Sequence, residues 1–271
     1  MGIDPAYEAP EAWHAALAAL AWQVDLGVSD VIGDLPINRY DLVVEAAVVE
    51  AQVAVAAVEA PVAVAVPVAA SGEVAVAAAK AAADGAGTLD ELRAALAEFA
   101  HCEIKQGARS LVFGDGNPAA RVLILGEAPG SEEDREGRPF VGPAGQLLDA
   151  MFAAIGLSRT AADRAQAVYI TNVMPWRPPQ NRDPSADEIA MMRPFVERHI
   201  ALINPDVIVL MGNTPCAAIL GKRGILKLRG VWAEALGKPV LPMAHPAYLL
   251  RNPVAKREAW ADLLAIKARL A

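Results

Sequence analysis

Between Arg121 and Leu148 the chain reads RVLILGEAPGSEEDREGRPFVGPAGQLL, an apolar run that breaks into a glycine-rich acidic loop and resumes as a helix. The carboxylates Glu127, Glu132, Glu133 and Asp134 lie in that loop beside a single aromatic ring, Phe140. Arg121 to Leu125 has the pattern of a short buried strand, and the density of Gly and Pro beyond it predicts no regular element before Ala144. Bare backbone at Gly126, Ala128, Pro129 and Gly130 would then sit at a strand's carboxyl end, where open parallel sheets bind ligands. An aromatic face set among carboxylates and free amide groups suits a flat, polar, uncharged ligand such as a nucleobase.

Two further strings carry chemistry. Asn172 follows the apolar run VYIT and precedes MPWRPPQNRDP, whose prolines stiffen the backbone around it. A side-chain amide both donates and accepts, which matches an edge with a carbonyl beside an N–H, as on uracil and not on cytosine. His245 opens HPAYLLRNP directly after another apolar run. An imidazole there can donate to an oxygen that gains charge as a bond breaks. Tyr248, Leu249 and Leu250 beside Arg251 have the make-up of an apolar wedge flanked by a phosphate-binding cation, the device that unstacks a base. Arg177 and Arg182 join them as DNA-binding candidates. The other histidines fall within helical patterns (His14, His199) or at a helix end (His101), positions that suit surface or packing roles.

The elements that must position these groups alternate along the chain. Strands are predicted at 121–125, 168–172, 206–211 and 239–243, and helices at 144–156, 185–203, 214–220 and 255–270. Such alternation predicts a mainly parallel sheet covered on both faces, with Glu127, Asn172, Asn213 and His245 near one rim. Upstream, Thr88 with Glu91 forms a capping box for a helix over 89–100, and a helical pattern covers 73–83. Trp13, Leu17, Leu20 and Val24 mark an amphipathic helix over 10–26. From about 43 to 70 only Ala, Val, Glu, Gln and Pro occur, which reads as a low-complexity tether, a buried Val-rich strand pair being the competing interpretation. The expected organisation is a helical segment at 1–42, a linker at 43–71 and a catalytic domain at 72–271.

Composition divides the chain the same way. The 271 residues carry a formal charge of −8, but residues 1–100 hold three basic residues against fifteen acidic ones, while the remainder is mildly basic. The back half can therefore meet a polyanion, and the acidic front half is a candidate module for a protein partner. Lys222, Arg223, Lys227 and Arg229 are grouped within it. Two cysteines, Cys102 and Cys216, make no disulfide framework and no metal-ligand spacing, so a cytoplasmic setting is expected. Glu and Pro interrupt the apolar stretch 42–70 well short of the ~20 residues of a membrane span, and the expectation is a soluble monomer.

Taken together, GEAPG (126–130), EEDREGRPFVGPAGQLL (132–148), YITNVMPWRPPQNRDP (169–184) and HPAYLLRNP (245–253) resemble the family-four branch of the uracil-DNA glycosylases. The resemblance spans residues 102–271 and leaves 1–85 untouched. It implies a three-layer α/β/α sandwich around a four-stranded sheet, and hydrolysis of the bond between uracil and deoxyribose in DNA. It also implies that Phe140 stacks on the flipped base, Asn172 reads its edge and His245 bonds its O2. The GEAPG loop would supply backbone amides and the carboxylate on the water side, with Glu127 and Glu133 both open for that role. Ala128 stands where better-studied glycosylases of the wider superfamily keep an Asp. Family-four enzymes hold an iron-sulfur cluster on four cysteines, and the matching positions here are Phe99, Cys102, Trp176 and Met192. One thiolate cannot hold a four-ligand cluster, so no cofactor is expected and apolar packing should pin the 174–184 loop instead. A branch that traps its substrate covalently uses a histidine after the Asn172 position, and the MPWRPPQNRDPSADE loop has none.

Overall fold

A computed structural model describes residues 68–271. The expected helix over 10–26 and most of the low-complexity stretch lie outside them. The four expected strands are present as β2 (Val122–Gly126), β3 (Val168–Asn172), β4 (Val207–Met211) and β6 (Lys238–Met243). All four run parallel, in the order β3-β2-β4-β6. Their apolar runs are unbroken because both faces are covered. On β2, Leu123 and Leu125 face one core while Val122 and Ile124 face the other, and Ile208 and Leu210 of β4 alternate with Val207 and Val209 in the same way.

One layer holds α1 (Val68–Gly85), α2 (Leu89–Glu98), α6 (Ala186–Ile203) and α7 (Asn213–Leu220), and the opposite layer holds α5 (Pro143–Ala153), α9 (Pro246–Arg251) and α10 (Lys256–Leu270). Single helical turns complete the set at α3 (Ile104–Gly107), α4 (Ser131–Glu136) and α8 (Ile225–Leu228). The architecture is thus the three-layer α/β/α sandwich. The capping box of α2 is present, with the Thr88 hydroxyl accepting from Glu91 N–H at 3.2 Å and the Glu91 carboxylate accepting from Thr88 N–H at 3.0 Å. Ser185 and Glu188 form the same box on α6.

Three expectations need correction. The sheet has six strands, because β1 (Asp115–Gly116) and β5 (Ala233–Ala235) add antiparallel edges to β3 and β6. At two and three residues neither is long enough to show a period in the sequence. The acidic loop is not wholly irregular, since α4 forms within it and ends at Gly137, whose φ of +72° closes the turn. Finally, α1 starts at Val68, inside the stretch assigned to the tether, because alanine favours the helix and the run continues into the buried Ala75, Ala79 and Ala83.

His199 belongs to the core. It stacks on Phe113 with ring centroids 4.4 Å apart, and its Nε2 pairs with the Tyr169 hydroxyl at 2.9 Å. Burial, with the nearby Arg93 charge adding to it, pushes its pKa down to about 3. The neutral ring is the native form, whereas the unfolded chain takes up the proton near pH 6.5. Stability is therefore complete above pH 6.5 and should fall by about 1.4 kcal/mol per pH unit below it until about pH 3. Urea unfolding of the wild type and of His199→Phe across pH 7 to 4 is expected to show the steeper acid loss in the wild type.

Candidate active site

The site starts where two strands end. Gly126 and Asn172 are register partners at the tips of β2 and β3. A Cβ on Gly126 would lie 2.3 Å from Asn172 Oδ1 and 2.5 Å from Phe140 Cε2, so only glycine lets the amide and the ring close on this strand end. Beyond the tips the two loops stay paired, with Val173 N–H donating to Gly126 O and Met174 N–H to Glu127 O, each at 2.9 Å. On the other side of β2, Gly212 at the end of β4 donates its N–H to Met243 O at 3.0 Å, which brings the His245 loop alongside.

A cavity of about 710 Å³ opens over these tips. Its walls include Glu127, Ala128, Pro129, Gly130, Glu133, Phe140 and Asn172, with Arg182, His245, Tyr248 and Arg251 further round. The ring, the amide and the imidazole singled out in the sequence thus share one cavity. Gly126 lies behind the wall, and Arg177 is tied to Asn181 at 2.8 Å. Arg182 is engaged by both oxygens of Glu188, at 2.6 and 2.8 Å, so its charge is largely spent within the protein. Leu249 needs correction as a DNA-binding candidate: it is fully buried, because one turn of α9 turns it into the α5 layer and leaves Leu250 exposed.

The backbone of Phe140 is strained, with φ at +53°, a region that bulky residues rarely enter. Two neighbours hold it there. A Cβ on Gly145 would overlap Phe140 O at 1.9 Å, so glycine alone fits under the loop. Arg159 donates to Pro139 O and to Phe140 O, both at 2.9 Å, and pairs with Asp149 and Asp115 at 2.8 and 3.1 Å. Its side chain is 9% exposed. The Phe140 ring lies against the His245 ring, centroids 5.5 Å apart and planes inclined by 29°. Nothing local in GLSRT marks Arg159, and the sequence reading missed it. Asn213 was noted only as a polar strand-end group, yet its Oδ1 accepts from Gly224 N–H and Ile225 N–H at 2.9 Å each and so anchors the α7–α8 turn on the cavity rim.

The carboxylates divide by environment. Glu133 Oε1 accepts from Val141 N–H and Gly142 N–H at 3.0 and 3.1 Å, and its Oε2 accepts from Gly130 N–H at 3.0 Å. It staples the two halves of the loop together with both oxygens occupied. Glu127 has one partner, the Thr214 hydroxyl at 2.6 Å, and burial outweighs that bond to raise its pKa. His245 Nδ1 accepts from Ala247 N–H at 3.2 Å, which leaves the ring proton on Nε2. Burial, reinforced by Arg251, lowers its pKa to about 4, so the ring is neutral at neutral pH. Among the described residues, Asn172 Oδ1 is the one buried side-chain oxygen or nitrogen without a hydrogen-bond partner.

Residues 113–264 match the family described as the uracil DNA glycosylase superfamily, and the chain belongs to that superfamily. Similar proteins include the type-4 uracil-DNA glycosylase of Thermotoga maritima, 44% identical over 154 residues, which are 56% of this chain and 77% of that one. The type-4 enzyme of Sulfurisphaera tokodaii is 40% identical over 176 residues, 61% of this chain and 77% of its own. That of Archaeoglobus fulgidus is 36% identical over 188 residues, 66% of this chain and 92% of its own.

The residues at the four positions where the resemblance implies cluster ligands do not fit a cluster. Phe99, Cys102, Trp176 and Met192 are all buried within one apolar core, and burial raises the pKa of the one thiol among them. Lys105 caps this packing, with its ammonium 5.7 Å from the Trp176 ring centre and bonded to Phe99 O at 3.1 Å. Elemental analysis of the purified protein is expected to find no stoichiometric iron. Arg159→Met should cost about 2 kcal/mol in urea unfolding, because it strands Asp115 and two carbonyls, a penalty moderated by the exposure of Asp149. Gly145→Ala should prevent the native loop from forming, read as loss of the folded baseline in the same experiment.

Proposed function

We propose that this chain is a DNA repair glycosylase that takes uracil out of the DNA base stack and hydrolyses its N-glycosidic bond, leaving an abasic site. Membership of the superfamily and likeness to type-4 uracil-DNA glycosylases support the reaction class. The observation that carries the substrate is the unpartnered amide oxygen of Asn172. A buried acceptor left unpaired costs about 1–3 kcal/mol, and a ligand presenting an N–H beside a carbonyl recovers that cost. Uracil has such an edge at N3 and O4, whereas the matching edge of cytosine has an acceptor followed by a donor and would leave both amide atoms mismatched.

In this reading the base lies on the Phe140 ring, with Gly126 allowing the close approach. As the glycosidic bond breaks, positive charge builds on the sugar and negative charge on the base. The His245 Nε2 proton, fixed by the Ala247 bond to Nδ1, faces the base oxygen and strengthens its bond as that oxygen gains charge. A neutral donor suffices for this, so no proton need be gained first. Glu127 orients the attacking water, since Glu133 has no free oxygen and Glu127 has one. Its carboxylate also favours the cationic sugar. No metal is required by these steps, and among the described residues no cluster of three His, Cys, Asp or Glu side chains is arranged to hold one.

Excision assays on uracil-containing oligonucleotides test this directly. Asn172→Ala and His245→Ala are each expected to lower kcat/KM at least tenfold, and Glu127→Gln by about 10²; wild-type rates in the first two would overturn the site assignment. The pH profile gives a second check. With its pKa held at about 4, His245 should give no limb near pH 6.5, and its contribution should fall away only as the pH drops through about 4, where protonation of Nδ1 breaks the Ala247 bond.

A further inference from the structure

The segment between α7 and α8 is left unused by the steps above, yet it forms part of the cavity rim. Leu226 lines the mouth of the cavity and is 59% exposed, so an apolar tip stands at the entrance to the site. It is not on a loose loop: the Asn213 amide oxygen grips Gly224 N–H and Ile225 N–H, and Gly224 takes a φ of +103° to make the turn. Around it Lys222, Arg223 and Lys227 are all exposed, and none of them is in an ion pair among the described residues. The contrast with Arg229, two residues on, is plain, since that guanidinium is spent on Asp262 and Glu258. The Arg223 charge reaches the site itself, where it acts against the burial that raises the Glu127 pKa.

We propose that the 222–227 segment is a second DNA-gripping element, in which Lys222, Arg223 and Lys227 bind phosphates flanking the extruded nucleotide and Leu226 packs into the stack beside it. Leu250, exposed beside the cavity-lining Arg251, presents the same pairing of a leucine and a cation after β6, while Leu226 lines the cavity from α8. An unpaired cationic cluster around an apolar tip matches a polyanion whose stacked bases need a filler when one is withdrawn. Two wedges would divide the work of holding a duplex open, which a single strand does not need. The inference rests on the uracil-excision reading of the cavity.

The test uses the full chain with uracil in duplex and in single-stranded oligonucleotides. Leu226→Ala, at an exposed position, should keep the wild-type melting temperature, lower kcat/KM on duplex uracil at least fivefold and change it less than twofold on single-stranded uracil. Leu226→Ser should repeat that result. Neutralising Lys222, Arg223 and Lys227 to Gln together should weaken binding to a duplex carrying a non-hydrolysable deoxyuridine analogue, and make the slope of log K against log salt shallower by about 2.7, near 0.9 for each phosphate no longer neutralised. Wild-type kcat/KM on duplex for both Leu226 variants, or an unchanged salt slope for the triple variant, would overturn the proposal. A wild-type protein that excises no uracil from either substrate would instead overturn the reading beneath it.

Discussion

The missing side chain of Gly126 is the constraint on which the site depends. With its Cβ absent, the Asn172 amide and the Phe140 ring close over the tip of β2, and any larger residue would drive both away. The strain then taken up at Phe140, whose backbone sits at φ +53°, is held by contacts further out: Gly145 beneath its carbonyl and Arg159 across two carbonyls. In the proposed reading this ring lies flat under a base and cannot be left to a mobile loop, because a misplacement of about 1 Å can cost a factor of about 10² in rate. The acidic residues around Arg159 serve the same end, since Asp115 and Asp149 keep the guanidinium in place.

Electrostatics gives three titratable groups of the site different characters. Glu133 is surrounded by backbone N–H donors and acts as a staple, while Glu127 is partly desolvated with one free oxygen. His245 is kept neutral by burial, which gives it a donor of fixed orientation across the neutral pH range. The same burial that lowers the His245 pKa raises that of Glu127, because in each case the charged form is the one that loses water.

Phe99, Trp176 and Met192 pack together in one buried apolar core. Large apolar side chains meet at the positions where the resemblance implies sulfur ligands, and the loop after β3 is held by that packing and by main-chain bonds such as Val112 N–H to Pro175 O at 2.8 Å. Apolar area buried there contributes in proportion to its size, at about 25 cal/mol per Å², and needs no particular redox setting.

Much of the fold could be read from the residues alone. Central parallel strands covered on both faces appear as unbroken apolar runs, and Val122–Gly126, Val168–Asn172 and Val207–Met211 are such runs with Gly- or Pro-rich loops behind them. The same local patterning marked Asn172 and His245, because polar groups at strand ends need no distant information to be noticed, and Phe140 stood out as the one aromatic ring in the acidic loop. Other features were settled by contacts between residues far apart in the chain. The Thr214 partner of Glu127, the burial of Leu249, the reach of Arg159 and the two edge strands all depend on which hydrogen-bond partners and apolar neighbours the folded chain brings up. No window of sequence contains those partners, and that is why the strand tips were legible and the loops' inner bracing was not.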